Sequence, residues 1–293
     1  MEKFKHEVYE KYTKAPTVAQ VREAVAQILE HDFAANNTPE IYKKCFSCID
    51  LTSLHTTDTD ADIRAMMEKV NNFGKYYPDM PTVAAVCVYP SLVSIAKAAR
   101  IGQMPIAAVS ACFPSSQTFI EAKIAETALT VAAGADEIDL VISVGKFLSG
   151  YHSEVSDELR ELRDACRGKR LKVILESGAL GSAAAVKQAS LLAMVSGADF
   201  IKTSTGKQEP AATLEATYVM CSAIKEFYKK TGIRIGFKPA GGIVTTEDSV
   251  RFYTVAHAVL GDTWMNSTLF RIGASRLANN LLSSIYDKPV SYF

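Results

Sequence analysis

Two lysines stand where buried strands would carry apolar residues: Lys202 in DFIKTSTGK (199–207) and Lys238 in RIGFKPAGG (234–242). Phe200, Ile201 and Thr203 are strand formers, so a charge among them is costly unless it is used or neutralised. If the two strands are neighbours, their backbones lie roughly 5 Å apart. Repulsion between the two ammonium groups and burial would each lower lysine basicity. A free lysine titrates near ~10.4, and one brought down to about 7 is a nucleophile at neutral pH. Such an amine adds to a carbonyl, loses water and forms an iminium. The iminium withdraws electrons from the neighbouring carbon–carbon bond, which is the chemistry of a metal-free aldolase.

The carbinolamine and enamine stages need a carboxylate to move protons. Asp139 in EIDLVISVG (137–145) is the best placed, and it could equally serve as counter-ion to either lysine. Proximity does not decide which lysine attacks. Lys202 sits between Phe200 and Ser204 in the more apolar strand, whereas Lys238 precedes Pro239.

Three turns supply an anion end: STGK (204–207), AGGI (240–243) and GASR (273–276). Glycine lets backbone N–H groups approach an anion closely. The last turn leads into RLANNLLSSIY, read as a helix whose positive N-terminus faces the same mouth. A small phosphorylated substrate follows, with Lys207 and Arg276 as added charge.

These residues need a scaffold that brings them together. Eight short apolar runs recur: CIDLTSL, TVAAVCVYP, PIAAVSACFP, EIDLVISVG, LKVILESG, DFIKTSTG, RIGFKPAGG and LFRIGAS. The chain between successive runs has room for one helix. IEAKIAETALTVAAG (120–134), SAAAVKQASLLAMVSG (182–197) and TLEATYVMCSAIKEFYKKTG (213–232) have helical spacing and end in glycine. Alternating strands and helices predict an α/β fold, a closed (β/α)8 TIM barrel. An open doubly wound sheet is the competing fold, but no G-x-G-x-x-G follows the first strand. Strand alternation then turns Asp50, Thr52, Asp139, Glu176, Lys202, Ser204 and Lys238 inward, toward the C-terminal mouth. Glu137 and Lys172 open their strands, so they are expected nearer the bottom in a supporting role. Residues 1–45 are read as an N-terminal helical extension packed on the barrel, with TVAQVREAVAQILE amphipathic. Residues 46–281 are the barrel and 282–293 a tail.

The chain has 293 residues with 32 basic and 32 acidic side chains. Neutrality argues against a broad nucleic-acid surface. No run is long enough for a membrane helix, and MEKFKHEVYEKYTK lacks the apolar stretch of a signal peptide. A cytoplasmic location is expected, and the free thiols fit a reducing compartment. Cys45 and Cys48 form a lone C-x-x-C with no partner pair, read as apolar filling rather than a metal site. No cofactor and no metal are expected. A homodimer or larger homo-oligomer is left open.

The blocks DLTSL, AAVCVYP, GADEIDLV, LKVILESG, GADFIKTSTGK, GFKPAGGI and RIGAS resemble those of the 2-deoxyribose-5-phosphate aldolase family, in the family's order from about Cys48 to about Leu281. The resemblance implies a class I aldolase on a (β/α)8 barrel. It would cleave 2-deoxy-D-ribose 5-phosphate reversibly to D-glyceraldehyde 3-phosphate and acetaldehyde. By that resemblance Lys202 corresponds to the Schiff-base lysine, Lys238 to the second lysine of the proton relay, and Asp139 to the proton donor and acceptor. Asp50 and Thr52 match residues lining the site. Gly206, Lys207, Gly241, Gly242, Gly273 and Ser275 match its phosphate region. The chain departs from the pattern in its long N-terminal section, in Arg276 after GAS, and in a penultimate Tyr292 where some members end in a tyrosine that assists proton transfer. Cys87 matches a site-adjacent cysteine. The alternatives are another class I barrel aldolase on a different phosphorylated sugar, or a sugar-phosphate-binding barrel without catalysis.

Overall fold

A computed structural model describes residues 15–293. The opening segment MEKFKHEVYEKYTK lies outside the described residues. Two helices come first, α1 (Val18–Asn36) and α2 (Pro39–Ser47). The strands are β1 (Ile49–Thr52), β2 (Ala85–Val88), β3 (Ile106–Ser110), β4 (Glu137–Val141), β5 (Arg170–Ile174), β6 (Phe200–Lys202), β7 (Gly236–Lys238) and β8 (Ile272–Ala274). Between and after them run α3 (Asp60–Tyr76), α4 (Val93–Ala99), α5 (Ile120–Ala133), α6 (Val144–Leu148), α7 (His152–Ala165), α8 (Ala183–Val195), α9 (Leu214–Thr231), α10 (Thr246–Leu260) and α11 (Leu277–Tyr286).

All strand pairs are parallel, in the order β7-β6-β5-β4-β3-β2-β1-β8. Parallel bridges Phe237–Phe270 and Ala240–Gly273 bring the two ends together, so the sheet closes as the predicted TIM barrel. Each of the eight apolar runs contains one strand. The helix ends follow local chemistry. Ser182 and Thr213 accept N–H bonds from Ala185 and Ala216, capping α8 and α9. Gly134 and Gly232 end α5 and α9 in left-handed conformations that other residues rarely adopt.

Helix α1 starts at Thr17, whose capping box with Gln20 satisfies both residues' backbone N–H groups. It lies on the outside of the barrel against α9 and α10. There Asn36 donates to the Thr254 hydroxyl at 3.2 Å and Arg251 sits over the Phe33 ring at 4.9 Å. Cys45 and Cys48 are both fully buried, and burial pushes both thiols up. No helix among the described residues is long and apolar enough to cross a membrane.

The barrel lumen has two unlike walls. Ala85, Cys87, Ala107 and Val109 of β2 and β3 form an apolar cluster with Leu54. The ionisable side chains come from β1, from the strands β4 to β7 and from Arg271 just before β8. The floor is sealed by Phe200, 1% exposed, with the guanidinium groups of Arg170 and Arg271 at 5.6 and 6.0 Å from its ring centroid. The ring fits because β7 opens with Gly236. A Cβ there would lie 2.4 Å from the Phe200 ring. Gly236→Val therefore should destabilise the barrel by about 2 kcal/mol or more, through overpacking. Urea unfolding of both proteins checks this, and an unchanged midpoint counts against it.

Candidate active site

The register of the sheet sets the site. Lys202 on β6 lies directly opposite Lys238 on β7, and Asp139 on β4 lies opposite Lys172 on β5. Beyond the paired strands, the Thr203 hydroxyl accepts the Ala240 N–H at 3.0 Å and donates to the Ala240 carbonyl at 3.2 Å. That clamp holds the ends of β6 and β7 together just past the two lysines.

Asp139 is the hub. One carboxylate oxygen, Oδ2, accepts from Lys202 Nζ at 2.9 Å and from Lys238 Nζ at 2.7 Å. The other, Oδ1, accepts from Lys172 at 2.9 Å. Lys172 also reaches Asp50 at 2.9 Å and Glu137 at 2.7 Å. Lys238 donates to Asp50 as well. Arg271 closes the floor by binding Asp50 and, at 2.9 Å, Glu137. Glu137 takes a further pairing from Arg170, whose side chain is 33% exposed.

Inside this network Lys172, Lys202, Lys238 and Arg271 face the carboxylates of Asp50, Glu137 and Asp139. All are nearly or fully buried. With every group ionised the interior carries an excess positive charge, which a low-dielectric interior disfavours. Lys202 is the group best able to relieve it. Its amine contacts one shared oxygen, whereas Lys238 contacts two carboxylates and Lys172 three. The basicities follow. Burial lowers Lys202 below its ordinary 10.5, the Lys238 charge adds to that, and Asp139 only partly opposes them. Burial also works to lower Lys238, but Asp139 and Asp50 outweigh it and hold that amine above its ordinary value. The two amines are thus shifted in opposite directions: Lys202 is lowered as expected and Lys238 is not, because, of the pair, only Lys238 reaches the second carboxylate, Asp50. Lys172 is held well above, its burial outweighed by Asp139, Asp50 and Glu137. For Asp139, burial favours the neutral acid, yet the three lysines outweigh it and keep it ionised.

A cleft of about 180 Å³ opens at the C-terminal mouth. Thr52, Leu54, His55, Thr205, Gly206 and Lys207 line one part of it; Ala240, Gly241, Gly242, Gly273, Ser275 and Arg276 line another. Of the three interior lysines, Lys202 alone belongs to this lining. The turns after β6 and β7 touch. A Cβ on Gly241 would meet Gly206 Cα at 3.0 Å and Ala211 Cβ at 2.8 Å, and its φ of 90° is left-handed. Lys207 reaches across the mouth to donate from Nζ to the Leu54 carbonyl.

Several expected residues take other places. Asp50 does not line the cleft; its carboxylate is enclosed by Lys172, Lys238 and Arg271. Glu176 leaves the lysine network altogether and accepts two hydrogen bonds from Thr205. Alternation fails for it because β5 ends at Ile174 and Glu176 turns left-handed, with φ 53°. Ser204 is fully buried and outside the cleft lining, and its hydroxyl has no hydrogen-bond partner. Two expected phosphate donors are already used: the Gly273 N–H bonds to the Pro239 carbonyl at 2.9 Å, and the Lys207 N–H to the Thr205 hydroxyl at 3.1 Å. Tyr292 is away from the lysines. Its hydroxyl donates to the Lys69 carbonyl at 2.7 Å, and its ring packs on Phe73, Tyr76 and Tyr77. Cys87 is fully buried in the apolar wall, and burial, then Asp139, pushes its thiol up. Arg271 was missed by the sequence reading, although the alternation in FRIGA puts it on the same face as Gly273.

Known proteins resemble this chain in sequence and fold. The DeoC/LacD family aldolase model matches residues 45–280. The deoxyribose-phosphate aldolase of Bos taurus is 42% identical over 260 residues, which is 83% of this chain and 80% of the bovine protein. The deoxyribose-phosphate aldolase of Agrobacterium fabrum is 39% identical over 240 residues, 81% of this chain and 88% of that protein. Among solved structures, QR15, an aldolase, superposes with a TM-score of 0.68 at 26% identity, covering 83% of this chain and 98% of that one. On these matches, the chain belongs to the DeoC/LacD aldolase family.

Proposed function

We propose that this protein reversibly cleaves 2-deoxy-D-ribose 5-phosphate to D-glyceraldehyde 3-phosphate and acetaldehyde, through a Schiff base on Lys202. One observation carries the assignment of the nucleophile: Lys202 is the interior lysine that both lines the cleft and is depressed in basicity. Its neutral amine still donates one N–H to Asp139, which leaves the lone pair free for the substrate carbonyl.

The steps follow from the contacts. Lys202 Nζ adds to C1 of the open-chain sugar, and the carbinolamine loses water to give the iminium. The C3 hydroxyl gives up its proton and the C2–C3 bond breaks; its electron pair flows into the iminium, giving an enamine and releasing D-glyceraldehyde 3-phosphate. Protonation of the enamine at C2 and addition of water release acetaldehyde and restore the amine. Asp139 and Lys238 share a hydrogen bond next to the reacting nitrogen and serve as the proton pair. Lys172, Asp50, Glu137 and Arg271 hold that pair in place. Thr52 lines the same cleft, its hydroxyl donating to the Asp50 carbonyl at 2.8 Å. The phosphate goes to the glycine turns, with the N–H groups of Gly206, Gly241, Gly242 and Ser275 as donors and Arg276 as the mobile charge. Gly273 and Lys207 shape the pocket from either side.

Borohydride reduction with acetaldehyde should fix a two-carbon adduct on Lys202, and peptide mass spectrometry of active protein without that adduct would refute the nucleophile. Lys202→Leu should lower kcat by about a thousandfold or more. The reaction needs the free amine, so its rate rises with pH through the Lys202 pKa, which lies below 10.5. Lys238→Leu removes the neighbouring charge and moves that limb to higher pH. The rate near neutrality should fall about tenfold for each unit of displacement. An unmoved pH profile in that variant would exclude the coupling. Activity should survive EDTA; loss restored by a divalent ion would identify a metal aldolase instead.

A further inference from the structure

We propose that Glu176 is a positioning residue for phosphate recognition: it sets the turn at Gly206 without touching the substrate or the lysines. The inference rests on the phosphorylated-sugar reading above. Its geometry starts in the backbone. The Leu175 N–H bonds to the Lys202 carbonyl at 3.0 Å and the Ser177 N–H to the Thr203 carbonyl at 2.8 Å. Just past the ends of β5 and β6, two residue steps thus oppose one, and the residue squeezed out is Glu176, with φ 53°. A non-glycine residue in this region is uncommon and is retained where something over-determines it.

The bulge throws the carboxylate sideways onto the turn after β6. Oε2 accepts the Thr205 hydroxyl at 2.6 Å and Oε1 accepts the Thr205 N–H at 3.2 Å. That hydroxyl in turn accepts the Lys207 N–H at 3.1 Å. Both residues flanking Gly206 are therefore tied, directly or through one atom, to a single buried carboxylate. The segment after Glu176 is equally constrained, since a Cβ on Gly178 would lie 1.8 Å from the Pro210 carbonyl oxygen. Lys202 is two residues before Ser204 in the same run and is fixed by Asp139 instead. Glu176 thus acts on the turn that cups the anion, while the amine has its own support.

The test separates these two ends. Glu176→Ala should lower the ratio of kcat/KM for 2-deoxyribose 5-phosphate over that for unphosphorylated 2-deoxyribose by about tenfold or more, mainly through KM. Acetaldehyde with borohydride should still label Lys202. Glu176→Gln retains an acceptor for Thr205 and should fall between wild type and Glu176→Ala. Where Glu176→Ala does not fold, Thr205→Val removes the hydroxyl contact to Glu176 and its link to the Lys207 N–H, and must lower the same ratio. A ratio within about twofold of wild type overturns the inference, as does a parallel loss of Lys202 labelling, which would mark a general structural role. A Gln variant as damaged as the Ala variant counts against the hydrogen-bonded role. Failure of the wild type to cleave the phosphorylated sugar sinks the proposed function itself and is seen before any variant is compared.

Discussion

One carboxylate organises this molecule. Asp139 accepts from three lysines at once, and two of them share a single oxygen. A fully buried anion is tolerable only with such partners, and buried ammonium groups only with such an anion. The arrangement is uneven. Lys172 and Lys238 have further carboxylates; Lys202 has none. That unevenness links a structural necessity to reactivity, because the least supported amine is the one whose basicity is lowered. The surplus of cations over carboxylates makes the outcome a property of the whole network.

The barrel supplies what no local segment could. Asp50, Asp139, Lys202 and Lys238 come from four different strands and Arg271 from the residue before β8, and they converge only because the sheet closes. The apolar wall of β2 and β3 matters as much. It leaves Cys87 and its neighbours on one side and keeps water from diluting the field that the charges exert on each other. At the mouth the requirement is different. The Gly206 and Gly241 turns pack backbone against backbone, a fit that any side chain there would spoil.

Much of this was legible in the sequence. Period-two alternation placed Asp139, Lys202 and Lys238 on the inner face, and the strand order made the lysines neighbours. The regularity of the strand and helix spacing gave the closed fold. What escaped has a physical reason in each case. Glu176 breaks the alternation because of a bulge, and nothing in LKVILESG announces one. Asp50 obeyed the alternation, but its depth along the strand, below the cleft, depends on the stagger between β1 and β8. The unequal basicities of the two lysines depend on which carboxylate reaches which nitrogen, a matter of side-chain geometry across strands far apart in the chain. Arg271 was readable by the same rule as the lysines.

The plugged floor has a consequence for traffic. Phe200, Lys172 and Arg271, each at most 2% exposed, fill the lumen beneath the amine. The cleft that Lys202 lines opens at the C-terminal mouth. Water that enters from the mouth to discharge the two-carbon fragment shares that opening with the three-carbon phosphate. For a substrate held as a Schiff base the order is set by the bond itself: the larger product is free once the C2–C3 bond breaks, and the smaller one stays attached until water reaches it.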